Sequence, residues 1–202
     1  MEASRENYVT ATSQKEADWA IQNARVVHQY LQLTAQETPR DESMARNVQW
    51  ILDHAPRDAK IVLWAHNVHV SRQKYRGGNT MGAFLDEWYG KDQVVIGFAA
   101  GEGHYTAIVR KNGLRSDNRL KSPIKHSYEE YFRTSGLPSF ILDLRKASKD
   151  DQGSGWLQRP HSFRSIGALA MDSQFASTDL CNLYDAIIYF DKTTASRSLP
   201  SR

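Results

Sequence analysis

The chain has 202 residues, 40% of them hydrophobic and 24% charged; that is the make-up of a soluble globular protein long enough for one sizeable core, and it excludes an intrinsically disordered chain. Its 26 basic and 23 acidic residues leave a formal charge of +3 and are scattered along the whole length, so no dense basic stripe marks a nucleic-acid or membrane surface. The longest uncharged apolar runs, residues 61–65 among them, fall far below the roughly 18 residues of a membrane helix.

The opening "MEASRENYVTAT" carries acidic side chains and no apolar stretch, so neither a secretory signal nor a transit peptide is read there and a cytoplasmic location is expected. Over residues 15–35, Ala17, Ala20, Ile21, Ala24, Val27 and Leu31 recur at helical spacing, which predicts a long amphipathic helix. Pro39 stops its continuation. Asp41 stands where an N-cap belongs, ahead of Met44, Val48, Ile51 and Leu52, so a second helix is expected to end near Asp53. "APRDAK" is a turn, and "KIVLWA" is a short apolar run bounded by polar residues, the pattern of a central strand covered on both faces.

"SRQKYRGGNT" has the composition of an exposed loop, "MGAFLDEWYG" reads as a helix closed by Gly90, and "QVVIGFAA" reads as a second strand. Strand, helix and strand in that order predict a βαβ unit with a right-handed crossover. Gly101-Glu102-Gly103 reads as a bend before a further strand, "HYTAIVR". Residues 111–126 are polar, carry Gly113 and Pro123, and are expected to form a loop. "SYEEYFRTSG" then predicts a helix, "SFILDL" a strand and "YDAIIYF" a last strand. Cys181 is the one cysteine, which excludes an internal disulfide framework and a multi-cysteine zinc site; beside an apolar run it reads as a small buried filler. The whole predicts an α/β protein with a mainly parallel sheet flanked by helices and preceded by two amphipathic helices.

The run at 61–65 ends in His66, Asn67, Val68 and His69, at the carboxyl end of a predicted strand, where α/β sheets bind their ligands. Residues three apart on a continuing strand point to opposite faces, so the two imidazoles meet only if the chain turns at Asn67, a residue suited to turning. Three readings fit the pair. Both histidines cap a strand as satisfied polar groups, or they bind a metal, or they divide acid–base work between them. Their spacing differs from the paired-histidine metal helix, which needs residues four apart with a glutamate between. No G-x-S-x-G elbow is present, Gly153-Ser154-Gly155 lacks the strand such a nucleophile needs, and Gly101-Glu102-Gly103 is too short for a phosphate loop.

Taken in order, "RDESMARNVQWIL", "KIVLWAHNVHV", "MGAFLDEWYG", "VVIGFAAGEGHYTA", "FILDLR", "RSIGA" and "YDAIIYF" resemble the C-terminal half of the erythromycin esterase family. The most specific elements are the blocks from Arg40 to Asn47 and from Trp64 to His69. The resemblance implies an ester hydrolase without a serine nucleophile, in which a histidine activates water to open a macrolide lactone. It implies His66 and His69 as catalytic residues, Arg40 as their charged partner, and Asn67, Asn47, Trp64 and Met81 as substrate-binding or supporting residues. No metal ligand and no cofactor follow from it. The bland alternative for Arg40 is a surface ion pair with Asp41 or Glu42.

The family's other catalytic block, of Gly-Glu-x-x-His-Gly type, has no match here; the nearest reading, at Glu102, continues with Gly103, His104 and Tyr105. The expectation is therefore a single or partial domain over residues 1–202, the C-terminal part of a hydrolase whose site a missing N-terminal half completes. Its partners would be an ester or lactone and that half, with no nucleic acid and no membrane. A non-catalytic remnant or binding module with the same fold, and a metal-dependent hydrolase, are the alternatives.

Overall fold

The computed structural model describes residues 4–36, 39–74, 78–147 and 153–197. Helix α1 (Arg5–Ala11) leads into α2 (Gln14–Thr34), whose start is fixed by the Ser13 hydroxyl accepting the Glu16 N–H at 3.2 Å. The expected apolar stripe of α2 is only partly used. Ala17 and Ile21 are buried, whereas Ala20, Val27 and Leu31 lie in solvent. Helix α3 (Arg40–Asp53) begins after Pro39, which occupies the cap position expected of Asp41; Asp41 instead sits inside the first turn, and its carboxylate is used elsewhere.

Residues 61–65 correct the expected central strand. Burial alternates along them, with Ile61, Leu63 and Ala65 turned toward α3 and the following helix, but no described strand pairs with them. Their other side is open: Val62 is 90% and Trp64 85% exposed. The chain then turns through α4 (Asn67–Val70) and reaches α5 (Met81–Tyr89), which Thr80 caps at the Ala83 N–H. Gly82 lets α5 lie against that turn, since a Cβ there would stand 1.9 Å from the Val70 carbonyl oxygen. Ala45 and Val48 of α3 close on Met81 and Leu85 of α5 to make a small second core.

Strand β1 (Ile96–Val109) runs as one strand through Gly101 and Gly103, where a bend between two strands was expected. Gly103, with φ 128°, lets the backbone of the last strand pass: a Cβ would meet the Thr193 carbonyl oxygen at 2.0 Å. The expected loop at 111–126 contains β2 (Gly113–Leu120), hairpinned onto β1. Then follow α6 (Tyr128–Thr134), β3 (Ser139–Asp143), β4 (His161–Arg164), β5 (Phe175–Thr178), α7 (Leu180–Leu183) and β6 (Ala186–Thr193). Cys181 is half-buried on α7, its thiol donating to the Leu157 carbonyl at 3.2 Å.

The α/β class stands, but the sheet is mixed. Its order is β2-β1-β6-β3, and only β1 and β6 are parallel; β2 and β3 run against their neighbours, as β4 and β5 do in a separate ribbon. Because residues 61–65 join no ladder, the expected βαβ unit does not close, and the parallel neighbour of β1 comes from far along the sequence. One face of the sheet carries the main core, where Ala99, Ile187 and Tyr189 pack under Tyr128 and Phe132 of α6, with Leu180 and Tyr184. No described helix covers the opposite face at Ile96, Phe98, Phe190 and Ile141, all of which are exposed.

Candidate active site

The turn after residues 61–65 is held in place by Asn67. Its amide donates to the Phe98 carbonyl at 2.7 Å and accepts the Phe98 N–H at 2.9 Å, so one side chain does for the β1 edge what a neighbouring strand would do. Tyr184 adds a 3.3 Å bond from its hydroxyl to the Asn67 carbonyl. The helical turn that follows puts His69 on a different side of the chain from His66.

His66 is the N-cap of α4. Its Nδ1 accepts the Val68 N–H at 3.3 Å, and its Nε2 lies 2.5 Å from the Ile166 carbonyl oxygen. A carbonyl only accepts, so the proton belongs on Nε2 and both ring nitrogens are engaged. His69 is arranged otherwise. Its Nδ1 is 2.7 Å from Asp41 Oδ1, which also accepts the Met81 N–H at 3.0 Å; a carboxylate oxygen so placed accepts, so Nδ1 directs its proton at Asp41 and Nε2 is the ring nitrogen left facing away. Among the described residues no protein group bonds Nε2. His69 and Asp41 are both about one-fifth to one-quarter exposed, which leaves that nitrogen within reach of water.

Beside His66 opens a cleft of about 550 Å³ on the uncovered side of the sheet. Its walls include Trp64, Phe98, Ile166 and Phe190, with His66, Asn67, His104 and Arg164 as polar members. Trp64 and Phe98 face each other at 5.5 Å between ring centres. Of the residues expected at the site, His66, Asn67 and Trp64 line this cleft, whereas His69, Arg40, Asn47 and Met81 do not. The two imidazoles thus do not share it. Asn47 ties α3 to α2, accepting from Gln22 at 2.8 Å and donating to Gln29 at 3.0 Å, and Met81 is a core residue whose N–H anchors Asp41. Arg40 is exposed; the ion pair nearby joins Arg46 to Glu42 instead, at 2.7 Å.

Asp41, His104 and Arg164 were not singled out from the sequence. Asp41 lay in plain view beside Arg40, but a residue at a helix start reads as a cap before it reads as a histidine partner. Arg164 is buried, and its guanidinium donates to the carbonyls of Ala100, Gly101 and Lys121 and to the Gln174 side chain, stitching the cleft floor to β1 and to the end of β2. Burial pulls its pKa down. Its own N–H is accepted by Glu129 Oε1 at 2.8 Å, while Glu129 Oε2, fully buried, has no partner among the described residues. Burial pushes the Glu129 carboxyl up to about 7, against the opposing pull of the Arg164 N–H. Among the described residues, no group of three or more His, Cys, Asp or Glu side chains is placed to hold a metal, and no helix is long and apolar enough to cross a membrane.

The family model described as erythromycin esterase matches residues 1–193. YbfO of Bacillus subtilis (strain 168) is 26% identical over 170 residues, and erythromycin esterase type II of Escherichia coli is 26% identical over 167 residues; each match takes in 78% of this chain but only 35% and 37% of those proteins. A Bacillus cereus protein of known crystal structure is 27% identical, with a TM-score of 0.79 over 96% of this chain and 49% of its own. The chain therefore spans about a third of the length of the curated relatives it matches.

Proposed function

The chain belongs to the erythromycin esterase family, and from that premise we propose that it is one part of an ester hydrolase that opens macrolide lactones with histidine-activated water. The observation that carries this reading is the Asp41–His69 pair: a carboxylate 2.7 Å from one ring nitrogen, itself fixed by the Met81 N–H, with the other ring nitrogen open. Such a pair is a general base with its orienting group. His69 Nε2 takes a proton from water as the oxygen attacks the ester carbonyl carbon. The tetrahedral intermediate then expels the alkoxide, which recovers that proton from the imidazolium.

His66 holds a supporting place in this scheme. With one nitrogen on Val68 and the other on Ile166, it fixes the turn that carries His69 and joins it to the cleft wall. Arg40, one residue before Asp41 and exposed, supplies a fixed charge for the oxyanion, whereas Trp64 and Phe98 line the cleft beside His66 that His69 does not line. The developing negative charge and the substrate's far side call for groups beyond these. The proposal is that they come from the part of the family fold this chain does not span.

The test is mass spectrometry of erythromycin and simpler lactones for the gain of one water. The chain is combined with the half of the Bacillus cereus protein outside the match, with and without a chelator. Turnover that survives the chelator and disappears in His69→Asn supports the reading. Turnover lost to the chelator favours metal-assisted water instead, and no turnover by any combination favours a binding module with the same fold.

A further inference from the structure

The block Arg164-Ser165-Ile166-Gly167-Ala168 has no part in the work of His69 and Asp41. The Ile166 carbonyl meets His66, and Arg164 and Gly167 line the cleft beside it. Arg164 is only 8% exposed, yet every acceptor its guanidinium meets is neutral. Its Nε donates to the Ala100 carbonyl at 3.2 Å, Nη1 to Gln174 Oε1 at 2.6 Å, and Nη2 to the Gly101 and Lys121 carbonyls at 2.9 and 2.7 Å. A guanidinium has five N–H groups, so one on Nη1 has no partner among the described residues. Neutral acceptors satisfy N–H groups without cancelling the charge, and buried charges are ordinarily paired. Glu129 offsets this charge only in part: its Oε1 takes the Arg164 backbone N–H, and burial pushes its carboxyl up to about 7.

The cleft around that charge is complementary to an anion with an apolar body. No Asp or Glu lines it, whereas Trp64, Phe98 and Phe190 do, and His104 adds an exposed imidazole able to donate a hydrogen bond. Its volume of about 550 Å³ suits a small molecule. We infer that the cleft is a binding site for an apolar molecule carrying one carboxylate, the carboxylate set against Arg164 and the body along Trp64, Phe98 and Phe190. One leftover N–H beside one imidazole matches a carboxylate better than a phosphate group, whose additional oxygens call for more donors. The inference does not rest on the hydrolase reading. His69 does not line this cleft, so its occupancy is a binding event whether or not an ester is opened.

The experiment titrates the 202-residue chain with three probes of one shape, phenylbutyrate, its neutral amide and the matching amine, and follows the backbone amides by NMR. The acid is expected to shift the amides of Asn67, Phe98 and Gly167 and to bind about tenfold more tightly than the amide, with the amine weakest. Arg164→Gln removes the charge and brings acid and amide level, its circular dichroism spectrum showing whether the fold is kept. Because Arg164 also ties β1 to the end of β2, His104→Glu is the second variant and decides the matter if Arg164→Gln does not fold. The His104 side chain is exposed, so the fold stands, and the added carboxylate on the cleft wall weakens the acid several-fold while leaving the amide unchanged. No binding by any probe, equal binding of acid and amide, or preference for the amine overturns the inference. Shifts confined to residues away from the cleft overturn it as well, as does an acid preference that persists undiminished in folded Arg164→Gln or in His104→Glu.

Discussion

A histidine with both nitrogens bonded to backbone groups has no lone pair to lend a substrate, and that separates His66 from His69 although the two are three residues apart. The proposed base depends on Asp41 for its tautomer: without the carboxylate, the imidazole is free to place its proton on Nε2 and lose its basic nitrogen on the open side. Asp41→Asn in the complemented protein is therefore expected to lower kcat by about 10²–10⁴-fold with KM little changed. Asp41→Glu should recover part of that loss, and steady-state kinetics on a lactone checks both. Glu129 offers a second prediction at this scale. Its carboxyl ionises near 4.5 in the unfolded chain and near 7 in its buried site. Between those values the folded protein keeps a proton that the unfolded chain has released, so stability falls as pH rises through that window and stays low above it. The difference amounts to roughly 3 kcal/mol. Urea melts at pH 5 and pH 8 should show the fall in the parent chain and a much flatter profile in Glu129→Gln.

At the scale of elements, the position of α5 decides whether the dyad exists, because the Met81 N–H at its first residue holds the Asp41 carboxylate. Gly82 is the point of closest approach to α4, with no room for a Cβ beside the Val70 carbonyl. Gly82→Ala should push α5 outward and destabilise the fold by about 1–3 kcal/mol. Thermal melts read that change, and the His69 ring resonances read the loosened Asp41 bond. These contacts also mark where the sequence ceased to be legible. Helices α2, α3, α5 and α6 were readable because their apolar periods and terminal signals agree, and β3 and β6 because each is a short apolar run. Strand β2 was read as loop, since its residues are nearly all polar and exposed and an edge strand needs no apolar alternation. Strands β4 and β5, four residues each, are too short to carry a period. The run at 61–65 has the composition of a doubly covered strand, and the structure leaves one of its sides bare. Composition reports what a segment is built to contact. It cannot report which polypeptide brings the contact. At the site, the His-Asn-x-His block was visible at once, but the Asp41 partner required the fold, because 28 residues separate it from His69.

For the whole molecule, the same openness governs both stability and chemistry. A sheet with one bare face forgoes part of the apolar burial that would offset chain entropy, and any polypeptide that binds only the folded form adds stability by mass action, about 2.7 kcal/mol when present at a hundred times its dissociation constant. Catalysis follows the same logic. A base lowers the barrier only when the scissile carbonyl is held within hydrogen-bonding reach of the water it activates and the developing oxyanion has donors to meet it. In the proposed reading His69 and Asp41 supply the base, and the cleft beside His66, which His69 does not line, has an apolar wall on one side only. The opposite wall is solvent. The 202-residue chain by itself is therefore expected to produce no detectable water-added erythromycin, even at high protein concentration, because an unpositioned ester forgoes the proximity term as well as the charge stabilisation. Mixed with the complementing half, it should melt at a temperature that rises with the concentration of that half, and lactone opening should appear over the same concentration range. Mass spectrometry and thermal melts on one titration series make the comparison. Robust hydrolysis by the chain alone would mean that its own residues complete the site, and would move the catalytic boundary inside these 202 residues.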